Sequence, residues 1–232
     1  MKYKISQSTA FPVVEASLAK GEEIRLQRGS MVYHDGNVEI EGRMNSNETG
    51  GIGGVLKAVG RSLTSSESMF ITFATGLTDD SKIAFAPSCP GTIKELKLDE
   101  GQWHVNDGAF LACDASAKFV MKRQSLGKAV LGSTGGLFIM TTEGIGSFII
   151  NAYGDIVEID MDGTAPFVVD NTHTLAWSTS LDYELKIASG FVGFKSGEGI
   201  VNEFKGRGKI LIQTRNMRAL ALAINPFLPS KS

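Results

Sequence analysis

Short runs of alternating apolar and polar residues, each closed by glycine, fill most of the chain. Met69, Ile71 and Phe73 stand at period two, as do Val157, Ile159 and Met161, and Tyr183, Leu185 and Ile187. Period two puts alternate side chains on one face of a pleated strand. The chain carries 27 glycines against 6 prolines, so its punctuation is the turn glycine. The pattern predicts many short strands joined by tight turns, an all-β fold.

The runs also repeat. Gly21 to Tyr33, Gly101 to Ala112 and Gly163 to Ala176 share one layout: a turn glycine, a strand, a second turn residue and an apolar strand. The second turn residue is Gly29, Gly108 or Asn171. Glycine and asparagine tolerate positive φ, so the layout predicts that conformation there, and Gly108→Val is expected to misfold the chain. Glu143 to Asn151 likewise matches Lys205 to Gln213. Self-similarity of this kind reads as tandem units. Three are expected, near residues 1–100, 101–162 and 163–232. Gly108, Phe110, Gly146, Gly208 and the run Gln213-Thr214-Arg215 are the positions expected to be decisive for them.

Two segments break the β pattern. Ile52, Val55, Leu56, Val59 and Leu63 fall at helical spacing, which predicts a short helical insertion near 52–63, packed on the body or at a subunit contact, or else lying at a membrane surface. The apolar stretch from Arg218 to Pro229 predicts a short helix ended by Asn225-Pro226 and docked on the body or on a neighbouring subunit.

Composition narrows the function classes. A 42% hydrophobic content supplies a sizeable core, and a net charge of -2 lacks the basic excess of a nucleic-acid binder. The two cysteines, Cys89 and Cys113, make neither a disulfide framework nor a four-cysteine zinc site and read as buried free thiols. The first residues are polar rather than signal-like, and no apolar run reaches membrane-spanning length, so a cytoplasmic protein is expected.

Candidate chemistry is sparse. There is no Gly-x-Ser-x-Gly elbow, and Gly132 to Gly136 has the wrong spacing for one. His34, His104 and His173 lie far apart in sequence. Asp170 near His173 is the one pair that suggests an acid/base or metal site, against the simpler reading of a hydrogen-bonded turn. The Gly-x-Gly pairs lack the third glycine of a dinucleotide loop. Asp79-Asp80, Asp99-Glu100 and Asp160/Asp162 read as turn carboxylates. Lys205, Arg207 and Lys209 gather at one hairpin, while Phe119 and Phe204 beside such cations are expected to face the core. No metal, cofactor or catalytic set is expected.

Several segments in order carry a family likeness. They are Pro90-Gly91, Gly108 to Ala112, Gly135 to Phe138, Glu143-Gly-x-Gly146, Tyr153-Gly-Asp155, Val169-Asp170-x-x-His173, Ser196 to Gly199, and Gly206-x-Gly208 leading to Gln213-Thr-Arg-Asn216. Together they resemble the family of bacterial and archaeal proteins related to the mitochondrial biogenesis protein called "altered inheritance of mitochondria". The resemblance implies three tandem units like the tryptophan RNA-binding attenuator protein, each a β-sandwich or short double-stranded β-helix. It also implies a homotrimer closing a ring, and it brings no catalytic residues to carry over. The expected function is a non-enzymatic trimeric scaffold or interaction protein with a protein or membrane-surface partner. The alternatives are a binding module for a small ligand or nucleic acid at clefts between units, and a metal-dependent enzyme using His173 and Asp170.

Overall fold

The computed structural model describes residues 1–6, 10–45, 69–123, 138–188 and 199–228. The expected helical insertion at 52–63 and the Gly132–Gly136 turn lie outside them. The described residues form nineteen strands and one α-helix, so the chain is all-β.

After β1 (Lys2–Ile5) the strands fall into three sets of six. The first is β2 (Val14–Leu18), β3 (Glu23–Gln27), β4 (Met31–His34), β5 (Val38–Asn45), β6 (Met69–Gly76) and β7 (Ser81–Phe85). The second is β8 (Ile93–Lys97), β9 (Trp103–Asn106), β10 (Phe110–Asp114), β11 (Ala117–Arg123), β12 (Phe138–Gly144) and β13 (Ser147–Asn151). The third is β14 (Ile156–Asp162), β15 (Phe167–Asp170), β16 (Thr174–Ser178), β17 (Asp182–Ile187), β18 (Ile200–Lys205) and β19 (Arg207–Gln213). Within every set the sixth strand pairs antiparallel with the first and third, and the fifth with the second and fourth. The third strand of each set bulges at one place, skipping Val32, Leu111 or Leu175 against its sixth strand.

Sets join edge to edge. β3 pairs with β10, and β9 with β16, which builds two six-stranded sheets, β5-β6-β3-β10-β13-β8 and β11-β12-β9-β16-β19-β14. A four-stranded sheet β1-β2-β7-β4 lies at one end of this scheme and a three-stranded sheet β15-β18-β17 at the other. The pairing puts the connections between sets at residues 86–92 and 152–155, ahead of the turn glycines at 101 and 163 from which the sequence pattern counts its units. Those glycines sit inside a set, between its first two strands.

The connections stack on one another. Gly91 N donates to Ala10 O at 2.8 Å, Gly154 N to Pro90 O at 3.1 Å, and Arg215 N to Tyr153 O at 3.2 Å. Gly91 and Gly154 form a parallel bridge. A Cβ on Gly91 would stand 1.9 Å from Ala152 O, so only glycine allows this approach.

Three apolar clusters follow the sets. One joins Val14, Leu18, Ile24, Leu26 and Phe85 to Leu111, Ala112 and Ile149 of the second set. The next holds Phe110, Phe119 and Phe148 with Leu175, Ala176 and Leu211 of the third. The last, around Trp177 and Phe204, is smaller. Phe119 and Phe204 are buried, as their position beside lysines predicts. Period two does not guarantee burial, however: in β14 Val157 is exposed.

Positive φ at the second turn holds for Gly29 (φ 76°) but fails at Gly108 and Asn171. Gly108 lies in a single 3₁₀ turn, Asp107–Ala109, which uses ordinary helical dihedrals, and a Cβ there would meet nothing within 4 Å. The helix α1 (Met217–Ile224) runs into a 3₁₀ turn at Asn225–Phe227, near the expected stop. It has no buried residue, so within the chain it does not dock on the body as expected.

Candidate functional site

His173 follows the turn after β15. Its backbone N–H donates to Asp170 O at 3.0 Å. The Asp170 carboxylate turns instead to Thr172, accepting from its N–H at 2.7 Å and its hydroxyl at 2.5 Å. This is the aspartate turn that the simpler reading expects. The imidazole points the other way. Nδ1 lies 2.7 Å from Gln213 O, and Nε2 lies 2.8 Å from Asn216 Nδ2. A carbonyl only accepts, so Nδ1 carries the proton and Nε2 accepts from the Asn216 amide. Asn216 Oδ1 in turn accepts from Ala219 N at 2.7 Å, capping α1. His173 thus ties the end of β19 to the start of the helix, and the geometry brings no Asp170–His173 side-chain pair together.

The run Gln213-Thr214-Arg215 belongs to the same stitch. Gln213 donates through Nε2 to Thr172 O at 2.9 Å and accepts at Oε1 from Tyr153 N at 2.9 Å. Thr214 Oγ1 accepts from Asp155 N at 2.9 Å. These bonds fasten the last strand to the second connection and to the turn after β15. Asn216 is the residue here whose role sequence reasoning missed, though an asparagine before an apolar helical run is the ordinary cap signal.

The remaining nominated positions are packing positions. Gly146 has φ 98°, and a Cβ on it would stand 2.7 Å from Ser116 Oγ and 2.8 Å from Asp114 Oδ2. Gly208 is equally crowded, with Ser180 Oγ at 2.9 Å and Leu181 and Ser178 at 3.0 Å. Phe110 packs on Phe148 and Phe119 at centroid distances of 5.2 and 5.6 Å.

His34 and His104 lie elsewhere, on Gly36 N at 3.1 Å and on Thr141 Oγ1 at 3.0 Å. Among the described residues no three His, Cys, Asp or Glu side chains gather as metal ligands. Lys205 pairs with Glu203 at 2.9 Å, and Lys209 with Asp160 at 3.4 Å and Glu158 at 3.8 Å, so the two hairpin lysines face carboxylates. The hydrogen bond from Lys186, joined by that from Lys205, holds the Glu203 carboxyl below its usual range. Burial pushes the Cys113 thiol up to about 12, which keeps it protonated and unreactive. Cys89 departs from the expectation of burial: it is partly exposed, with its sulfur 3.4 Å from that of Met217.

The least satisfied features are backbone edges. β4 is hydrogen-bonded along one side only, by β7, and β15 along one side only, by β18. Met31, Val32 and Tyr33 on β4 are exposed, as are Phe167 and Val168 on β15. Val32 and Val168 each leave more than half their surface open, at 56% and 54%. Edge strands ordinarily carry charges or prolines that repel other chains, and these carry apolar residues. The signal in the sequence is the loss of alternation in Met31-Val32-Tyr33 and Phe167-Val168-Val169. Among the described residues no helix is long and apolar enough to cross a membrane.

Comparison with known proteins agrees with this architecture. An uncharacterised protein of Streptococcus pyogenes serotype M6 is 45% identical over 233 residues, covering 100% of this chain and 93% of its own length. A crystal structure of a Streptococcus pyogenes protein, from a structural genomics consortium, is 43% identical and superposes with a TM-score of 0.81 over 98% of this chain and 99% of that one. Residues 3–215 match the family described as mitochondrial biogenesis AIM24. The match spans most of the chain and takes in the stitched run at Gln213 and the edge strands β4 and β15: this protein belongs to the mitochondrial biogenesis AIM24 family.

Proposed function

We propose that this chain is a non-enzymatic scaffold that works by associating with copies of itself, as a homotrimer closed into a ring in the cytoplasm. The observation that carries the reading is that β4 and β15, at the two ends of the series of joined sets, are edge strands with exposed apolar residues and lack the set-to-set partner that their equivalents have. A bare apolar edge is a template for another chain, and ring closure would cover both of these edges in every copy at once. Three copies is the number that the family resemblance implies. The reading is supported further by His173, Asn216, Gln213 and Asp170, whose polar atoms are engaged in holding turns and a helix cap. Protein or membrane-surface partners would be engaged by the assembled ring.

Native mass spectrometry of the freshly purified protein, with a metal scan on the same sample, tests it. A trimer without added mass is expected. A monomer at micromolar concentration would overturn the assembly, and a stoichiometric metal or small molecule on the trimer would overturn the non-enzymatic part.

A further inference from the structure

Two joints between sets already exist inside the chain, and they are built alike. The second strand of one set pairs with the third strand of the next: β3 with β10, then β9 with β16. The third set has a second strand, β15, without such a partner, and the first set has a third strand, β4, without one. Resting on the self-association proposed above, we propose that β15 of one copy pairs antiparallel with β4 of a second copy. In this joint Val169 stands opposite Tyr33, Val168 opposite His34, and Phe167 opposite Asp35 of the second copy.

The register follows from the two internal joints. On the β4 side, the shared bulge skips Val32, Leu111 and Leu175, so the residues after it, Tyr33, Ala112 and Ala176, are equivalent. On the β15 side, Leu26 pairs with Thr72, Val105 with Met140, and Val169 with Asn202. Thr72, Met140 and Asn202 each lie four residues before a turn glycine, Gly76, Gly144 and Gly206, so Leu26, Val105 and Val169 are equivalent too. Inside the chain Leu26 faces Ala112 and Val105 faces Ala176. Val169 therefore faces Tyr33. The next pairs, Arg25 with Cys113 and His104 with Trp177, give Val168 with His34; Ile24 with Asp114 and Trp103 with Ser178 give Phe167 with Asp35.

The cores ask for the same joint. Leu26 shares its cluster with Leu111, Ala112 and Ile149 of the following set, and Val105 shares its own with Leu175, Ala176 and Leu211. Val169 belongs to the third cluster, to which no following set contributes. The equivalents of the missing residues are Val32, Tyr33 and Ala84, the last because it pairs with Tyr33 as Ile149 does with Ala112 and Leu211 with Ala176. Val32 and Tyr33 are exposed in the single chain. Seated against Val169 of another copy, they complete its third core as the first two are completed. The contact is head to tail, so each copy offers one edge of each kind, and a rotation at each joint that sums to a full turn closes the series as a ring.

The experiment is disulfide trapping with the pair Val168→Cys and His34→Cys, in a chain also carrying Cys89→Ser. Directly opposite residues on neighbouring strands lie within about 4.5–5.5 Å between Cα atoms, within disulfide reach. Under mild oxidation the double variant should run as covalent dimers and trimers on a non-reducing gel, while either single variant stays monomeric. Cross-linking of a single variant would mean like edges meet, and would overturn the joint. Failure of the double variant to cross-link while native mass spectrometry still shows a trimer would also overturn the joint, leaving self-association standing. A monomeric parent chain would remove both. As a second arm, Val32→Lys, at an exposed position in the single chain, should turn the trimer into a monomer with an unchanged β circular dichroism spectrum. A retained trimer would count against the joint.

Discussion

Glycine has two distinct uses in this chain, and Gly146 and Gly108 separate them. Gly146 combines φ 98° with neighbours that would stand 2.7 and 2.8 Å from a Cβ. Gly146→Ala is expected to cost about 1–3 kcal/mol, from left-handed strain plus the push on Ser116 and Asp114. Gly108 has neither constraint. Gly108→Val is expected to stay soluble and folded, with a loss of about 1 kcal/mol or less. Thermal melts of the two variants side by side check the contrast, and a larger loss at Gly108 would reverse it. A turn residue capable of positive φ is visible in a sequence, whereas whether the turn uses that capacity depends on closure by a 3₁₀ bond.

Strands were the most legible elements because alternation is a local property. The turn glycines Gly21 and Gly163 do take positive φ, at 77° and 83°, and α1 ends close to its Asn-Pro signal. Partners were not legible, because β3 with β10 and β9 with β16 join residues far apart in sequence. For the same reason sequence proximity placed His173 with Asp170, while the fold sends the imidazole to Gln213 and Asn216. The helix cap makes that difference measurable. His173→Ala leaves Gln213 O and the Asn216 amide without their ring partner, at about 1 kcal/mol per hydrogen bond. The expected outcome is a melting temperature lower by roughly 4–8 °C for a chain of this size, with faster tryptic cleavage at Arg218 as the capped helix frays. Unchanged cleavage at Arg218 would mean that the histidine does not hold the helix.

Across the whole molecule, β1 crosses from one set to the next. Its Tyr3 hydroxyl reaches the Asp114 carboxylate at the end of β10, while Asp114 Oδ2 accepts from Ser147 N at 2.8 Å. Burial, then the Asp114 hydrogen bond, raise the Tyr3 phenol above its ordinary value of 10.0. A folded-state pKa above the unfolded one means that the contribution is complete below about pH 10 and falls away as the pH rises past it. Tyr3→Phe should therefore melt below the parent chain at neutral pH, and the gap should narrow between about pH 9 and pH 11. A constant gap across that range would show that the phenol does not anchor β1.

The stacked connections have one more consequence. Sets are held by strand edges and by the ladder through Ala10, Gly91, Gly154 and Arg215, so the peptide bond between them is not what keeps them together. A single cut at the exposed Ser88 leaves β3–β10 and that ladder in place. The covalent order of the chain and the order of its pieces in space are thereby separable, and the two fragments of a chain cut at Ser88 are expected to stay together under native conditions.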